Sequence, residues 1–259
     1  YNNIQPIFAY FSGGFICLAH NGSLTNANNI RAGLEKNGCL FQTTTATAAT
    51  ATASASEPAA LAPLPKRSTF QVIAATAAHV QQLRQGGLVV YMRHGPSDAH
   101  RPDQLPLQLD NCDSQRPLSE AGRALLKTIG RDFAKLQLPY AELIISPFCR
   151  VQESAQLVFN RPGTIDPALR YTAAMPDAEK QPAVQRTRHW ISLPVASAGH
   201  NRVVIAHGPN IAELMDHLPP EGGVLLFRPL GTQHPVGFEY LASIEPHHWP
   251  ALLRQLAPL

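Results

Sequence analysis

Apolar and polar positions alternate between two rhythms along this chain. The clearest feature is a run of five apolar residues, Leu88 to Met92, that ends in Arg93-His94-Gly95. An unbroken apolar run of this length suits a strand buried on both faces, as in a parallel sheet. The plan recurs in Arg202-Val203-Val204-Ile205-Ala206, followed by His207-Gly208. It recurs again in Glu142-Leu143-Ile144-Ile145, followed by Ser146-Pro147-Phe148-Cys149-Arg150. Three such strands would bring two histidines and two arginines to their carboxyl ends, where open α/β sheets place ligands.

Helical spacing fills the intervals. Phe70, Ile73, Ala77, Val80 and Leu83 mark one face of a helix over 69–85, stopped by Gly86-Gly87. Leu118, Ala121, Leu125, Ile129, Phe133 and Leu136 step by three or four, with Ser119 as a good N-cap. Shorter helices are expected near Val151 to Phe159, Gln185 to Leu193, Pro209 to His217 and His248 to Leu256. Pro209 suits a first helical turn. Val224 to Phe227 and Gly237 to Leu241 read as two further strands, a hairpin at the sheet edge. Residues 96–117 have no periodicity and read as a long loop of the kind that roofs a pocket. The fold class expected is α/β, a three-layer sandwich with a mostly parallel central sheet and helices on both faces.

The first 68 residues behave differently. Ile7 to Phe11 and Phe15 to Leu18 are apolar enough for strands. Residues 46–68 are low-complexity Thr, Ala, Pro and Ser sequence and read as a linker.

Composition narrows the function. Apolar residues make up 44% of the 259, enough for a substantial core, and the 23 prolines favour ordered loops. The net charge of +3 gives no argument for nucleic acid. No apolar run reaches membrane-spanning length, and no signal peptide is visible. Four cysteines are present, and metal-ligand spacings such as CxxC are absent. Cys112 and Cys149 could be bonded or be buried thiols, and the sequence leaves both open. Periplasmic, secreted and cytoplasmic locations therefore all stay open, as does the oligomeric state.

Arg93-His94-Gly95, Ser146-Pro147 with Arg150, and His207-Gly208, taken with Gln115-Arg116-Pro117-Leu118-Ser119, resemble the histidine phosphatase superfamily, the phosphoglycerate-mutase-like group. The resemblance covers roughly residues 69–259. It implies a phosphomonoester hydrolase that needs no metal or cofactor and acts on a small phosphorylated substrate. His94 would attack phosphorus and become a phosphohistidine. Arg93, Arg150 and His207 would hold the phosphate oxygens; read from the residues, Arg116 is either a further phosphate contact or a loop anchor, and Asn210 either contacts ligand or bonds within the His207 loop. Arginine suits this work because its planar fork grips two oxygens. Cations around His94 would also keep its imidazole neutral, as a nucleophile requires.

The leaving group needs a proton from a carboxyl. Some family members place an aspartate after the second histidine, where this chain has Gly208. Glu221, in Pro219-Pro220-Glu221-Gly222-Gly223, is the favoured substitute, ahead of Asp98, Asp177 and Glu179. The alternative reading is a catalytically silent phosphate-binding domain.

Residues 1–45 resemble a fragment of the glutaminase domain of amidophosphoribosyltransferase, through Asn3-Ile4-Gln5-Pro6, Leu18 to Leu24 with Asn21-Gly22, and Phe41-Gln42-Thr43-Thr44. That enzyme needs an amino-terminal cysteine, and the chain begins with Tyr1. The fragment is expected to be non-functional, since an oxyanion hole without a nucleophile transfers no acyl group. A glutamine amidotransferase is accordingly the weakest of the three readings.

Overall fold

The computed structural model describes residues 7–11, 14–18, 70–173 and 175–256. The chain divides into two compact units, Tyr1–Arg67 and Ser68–Leu259. In the first, β1 (Ile7–Phe11) and β2 (Gly14–Leu18) pair antiparallel. The linker expected over 46–68 and the Asn21-Gly22 pair lie outside the described residues.

The second unit contains, in chain order, α1 (Ala77–Gln85), β3 (Val89–Arg93), α2 (Glu120–Lys135), β4 (Tyr140–Ile145), α3 (Cys149–Phe159), β5 (Thr164–Ile165), α4 (Asp177–Ser192), β6 (Asn201–Ala206), α5 (Gly208–Met215), β7 (Val224–Pro229), β8 (Phe238–Ile244) and α6 (Trp249–Leu256). Six strands form one sheet in the order β5-β4-β6-β3-β7-β8. Neighbours from β5 to β3 pair parallel, while β7 is antiparallel to both β3 and β8. Only β7 therefore runs against the other five strands of the sheet.

The unbroken apolar runs have the expected cause: both faces of the sheet are covered. Val90 and Met92 of β3 join one core with Leu126, Ile129 and Phe133 of α2, Val151 and Ala155 of α3, Val80 of α1 and Trp249 of α6. Val89 and Tyr91 point the other way, into a second core with Ile191 of α4 and Ile211 of α5. Helices thus cover both faces, and the three-layer α/β arrangement is the observed fold.

Two helices depart from expectation, and the two-residue strand β5 was not anticipated. The first helix begins at Ala77, not near residue 69. Residues 73–75 are instead extended along β8: Ser243 donates to the Ile73 carbonyl at 2.7 Å, and Ala75 donates to the Ser243 carbonyl at 2.9 Å. The backbone at the free edge of β8 supplies the hydrogen-bond partners that make an extended path favourable here. Thr76 and His79 then form a reciprocal cap that starts the helix. The second departure is α4, which spans 16 residues where a shorter helix near Gln185 to Leu193 was expected. Its first turns contain Pro182 and few apolar residues, which hides its start.

Candidate active site

Strand register alone builds the floor of the site. Arg93 pairs with Ala206, and Ile145 pairs with Ile205, so the carboxyl ends of β3, β6 and β4 lie level. The ladder continues one bond beyond the strands, with His94 N donating to Ala206 O at 3.1 Å and Ser146 N to Ile205 O at 3.0 Å. His94 and Ser146 are therefore placed by backbone hydrogen bonding before any side chain is considered, and His207 follows directly on Ala206 at the end of β6.

The two imidazoles meet edge to face, with ring centroids 5.3 Å apart, and both are buried. Nδ1 of His94 faces the Gly95 carbonyl at 2.8 Å. A carbonyl only accepts, so Nδ1 carries the hydrogen and Nε2 keeps its lone pair. The His94 pKa is pushed down to about 3, first by loss of hydration on burial and next by the Arg150 charge, with Arg93 and Arg116 adding to it. The His207 pKa also lies well below the ordinary imidazole range, from burial first and then from His94 and Arg150. Nε2 of His207 meets Ser146 Oγ at 2.8 Å, whereas its buried Nδ1 has no partner. The Tyr91 hydroxyl donates to the His207 carbonyl at 2.8 Å and fixes the start of α5 from beneath.

The arginines surround this pair. Arg150, fully buried at the first turn of α3, gives one Nη1 hydrogen to Asp103 at 2.9 Å. Its guanidinium lies over the Phe148 ring at 4.5 Å and the Tyr171 ring at 5.5 Å. Arg93 donates to the Pro219 carbonyl at 2.7 Å. Buried nitrogens nevertheless remain without acceptors: Nε of Arg93, Nε of Arg116, Nε and Nη2 of Arg150, and Nδ1 of His207. Such atoms are costly to leave unpaired. Gly208 leaves room for Arg93, since a Cβ there would lie 2.9 Å from its Cδ. A ring of cations repels a metal ion and suits an oxyanion.

Glu221 reaches the same place. One oxygen accepts from Ser97 Oγ at 2.8 Å and lies 3.6 Å from Arg93 Nη2 and 3.9 Å from His94 Nδ1. Gly222 N donates to His94 O at 2.9 Å and Arg93 N to Gly223 O at 3.0 Å, so the backbone also ties this turn to the end of β3.

Asn210, open between ligand contact and a structural bond, makes hydrogen bonds within the protein. Its amide hydrogens are engaged with Arg170 O at 2.9 Å and Thr187 Oγ1 at 3.2 Å. The remaining Oδ1 is an acceptor, which repels phosphate, so Asn210 joins α5 to α4 and the 170 segment. Asp103, Tyr171, Phe148, Ser97 and Ser154 are neighbours that sequence reading missed. Ser154 Oγ accepts from Gly95 N at 3.1 Å while donating to Arg150 O at 2.6 Å.

The loop over 96–117 closes on the site through a Cys112–Cys149 disulfide with Cα atoms 5.7 Å apart. Gln115 reinforces it by accepting from Cys149 N at 2.9 Å. The same Asp103 oxygen that meets Arg150 accepts from Arg116 N at 2.8 Å. One carboxylate thereby ties both arginine-bearing segments together.

No family model matches the chain. Solved structures similar to it include the protein histidine phosphatase SixA complexed with tungstate, at 16% identity and a TM-score of 0.40 over 62% of this chain and 98% of that one. The alpha-ribazole phosphatase from Shigella flexneri is similar at 15% identity and a TM-score of 0.45, over 61% of this chain and 96% of that one. A short N-terminal segment of 43 residues is 54% identical to amidophosphoribosyltransferase of Lacticaseibacillus casei. That match covers 17% of this chain and 22% of the relative, so the chain spans about a fifth of that protein's length.

Proposed function

We propose that the unit around His94 is a phosphomonoester hydrolase working through a phosphohistidine. The unpartnered buried nitrogens of Arg93, Arg116, Arg150 and His207 carry this reading, because a tetrahedral oxyanion would satisfy them together. The Nε2 lone pair of His94 attacks phosphorus, and the phosphorus–oxygen bond to the leaving group breaks. Glu221 gives its proton to the departing alkoxide. Water, deprotonated by Glu221, then attacks phosphorus, returns the electron pair to Nε2 and releases inorganic phosphate. Arg93, Arg116 and Arg150 neutralise the equatorial oxygens throughout. Small phosphorylated compounds are the substrate class.

The test is turnover of an aryl phosphate and an alkyl phosphate by the whole chain. His94→Ala is expected to bring both to background. Glu221→Gln is expected to spare the aryl ester more, since a good leaving group needs little protonation. Equal losses on both esters would remove Glu221 from the acid role. Phosphate binding without turnover in the unmodified protein would favour a silent binding domain.

A further inference from the structure

Outside the cup, the turn between β8 and α6 gathers side chains of another kind. β8 ends at Ile244, and His248 N donates to Glu245 O at 2.8 Å to close the turn. Closure puts three potential ligands on one side. Glu245 Oε2 and His247 Nδ1 are 3.6 Å apart, and the His247 and His248 ring centroids are 4.0 Å apart. One ligand atom from each of the three lies within 4.8 Å of the others. Nδ1 of His248 is in addition buried without a hydrogen-bond partner.

We propose that Glu245, His247 and His248 bind a divalent transition-metal ion of the zinc class. Two imidazoles and one carboxylate suit zinc, nickel or copper, whereas calcium and magnesium prefer oxygen throughout. Zinc holds nitrogen and oxygen ligands at about 2.0–2.2 Å, which places neighbouring ligand atoms roughly 3.3 Å from one another. The Glu245–His247 spacing is already close to that. His247 is 72% exposed and meets Glu245 and His248. Three protein ligands leave a tetrahedral ion one position for water. Spacing patterns such as CxxC do not reveal this set, because two of its members are adjacent and only the turn brings the third to them.

The site backs onto the turn bearing the candidate acid without entering the cup. A Cβ placed on Gly222 would meet Pro246 Cγ at 3.7 Å. The inference does not rest on the phosphatase reading, and its readout is binding alone.

The test is calorimetric titration of zinc chloride into the whole oxidised chain, alongside His247→Ala and Glu245→Gln. The chain has 11 histidines, so the difference between proteins is what counts. The wild type is expected to bind one more zinc equivalent than either variant, or to hold that equivalent roughly ten-fold more tightly or better. Circular dichroism checks that both variants stay folded. Equal stoichiometry and affinity in all three proteins, or no zinc binding by the wild type, would overturn the proposal.

Discussion

The proton on His94 Nδ1 decides what that side chain can do. Held on the Gly95 carbonyl at 2.8 Å, it leaves Nε2 as a base that burial first, and then the surrounding cations, keep unprotonated. With a folded pKa near 3 against an ordinary 6.5, the His94 ring resonances should show no titration between pH 5 and 8, as two-dimensional NMR would read. The sign for stability follows from linkage. The unfolded chain takes up the proton first, so the His94 contribution is intact above pH 6.5 and is lost as pH falls towards 3. Urea unfolding across that window should show stability dropping, and a shallower drop in His94→Ala. Asp103 supports the neighbouring arginine. Removing it in Asp103→Ala leaves Arg150 Nη1 and Arg116 N without their shared acceptor. A loss of roughly 1–3 kcal/mol is expected in denaturant unfolding, with a raised KM for aryl phosphate. Asp103→Asn keeps an acceptor oxygen and should restore much of both. His94, Arg93, Arg150 and His207 were legible because each follows or closely trails an apolar run whose burial fixes its place. Asp103 and Tyr171 sit in segments with no periodicity, so nothing in the residue order tied them to the cup.

At the scale of elements, the 96–117 loop depends on its tether. It runs from the end of β3 to the start of α2, and its only described covalent link elsewhere is the bridge to Cys149 at the start of α3. The two cysteines are 37 residues apart. Constraining a loop of that length in the unfolded chain is worth roughly 2–4 kcal/mol. Cys112→Ser should therefore lower the unfolding temperature measured by calorimetry. It should also raise KM more than it lowers kcat, because Arg116 loses its anchor while His94 stays held by the strand ladder. Treatment of the unmodified protein with a dithiol should reproduce both effects, and an unchanged KM would separate the bridge from the site. The loop's length signalled a role, but the sequence left the two thiols free or bonded with equal reason. The same ambiguity applied to residues 70–76, whose apolar spacing fits a helix face and is used instead along the edge of β8.

Taken whole, the molecule carries the described candidate site within one of its two units. Each residue of the cup falls between Arg93 and Glu221, inside Ser68–Leu259. A polypeptide of residues 68–259 is accordingly expected to fold alone and to hydrolyse aryl phosphate with the kcat/KM of the full chain, which steady-state kinetics on the two proteins would check. A large drop would tie the first 67 residues to the activity. The sequence changes from low-complexity to regular apolar runs close to the boundary between the two units. The hairpin expected of β7 and β8 requires one of the two to run reversed, but apolar content does not say which, and the direction of β7 has its own consequence. Because β7 opposes β3, its first residues meet the last residues of β3, and Glu221 arrives on the segment just before them. The carboxylate is thus mounted on a separate hinge of backbone from both imidazoles. Lengthening or shortening the Pro219–Gly223 turn would move Glu221 most, and the bonds from Gly222 N to His94 O and from Arg93 N to Gly223 O would carry part of that change to the end of β3.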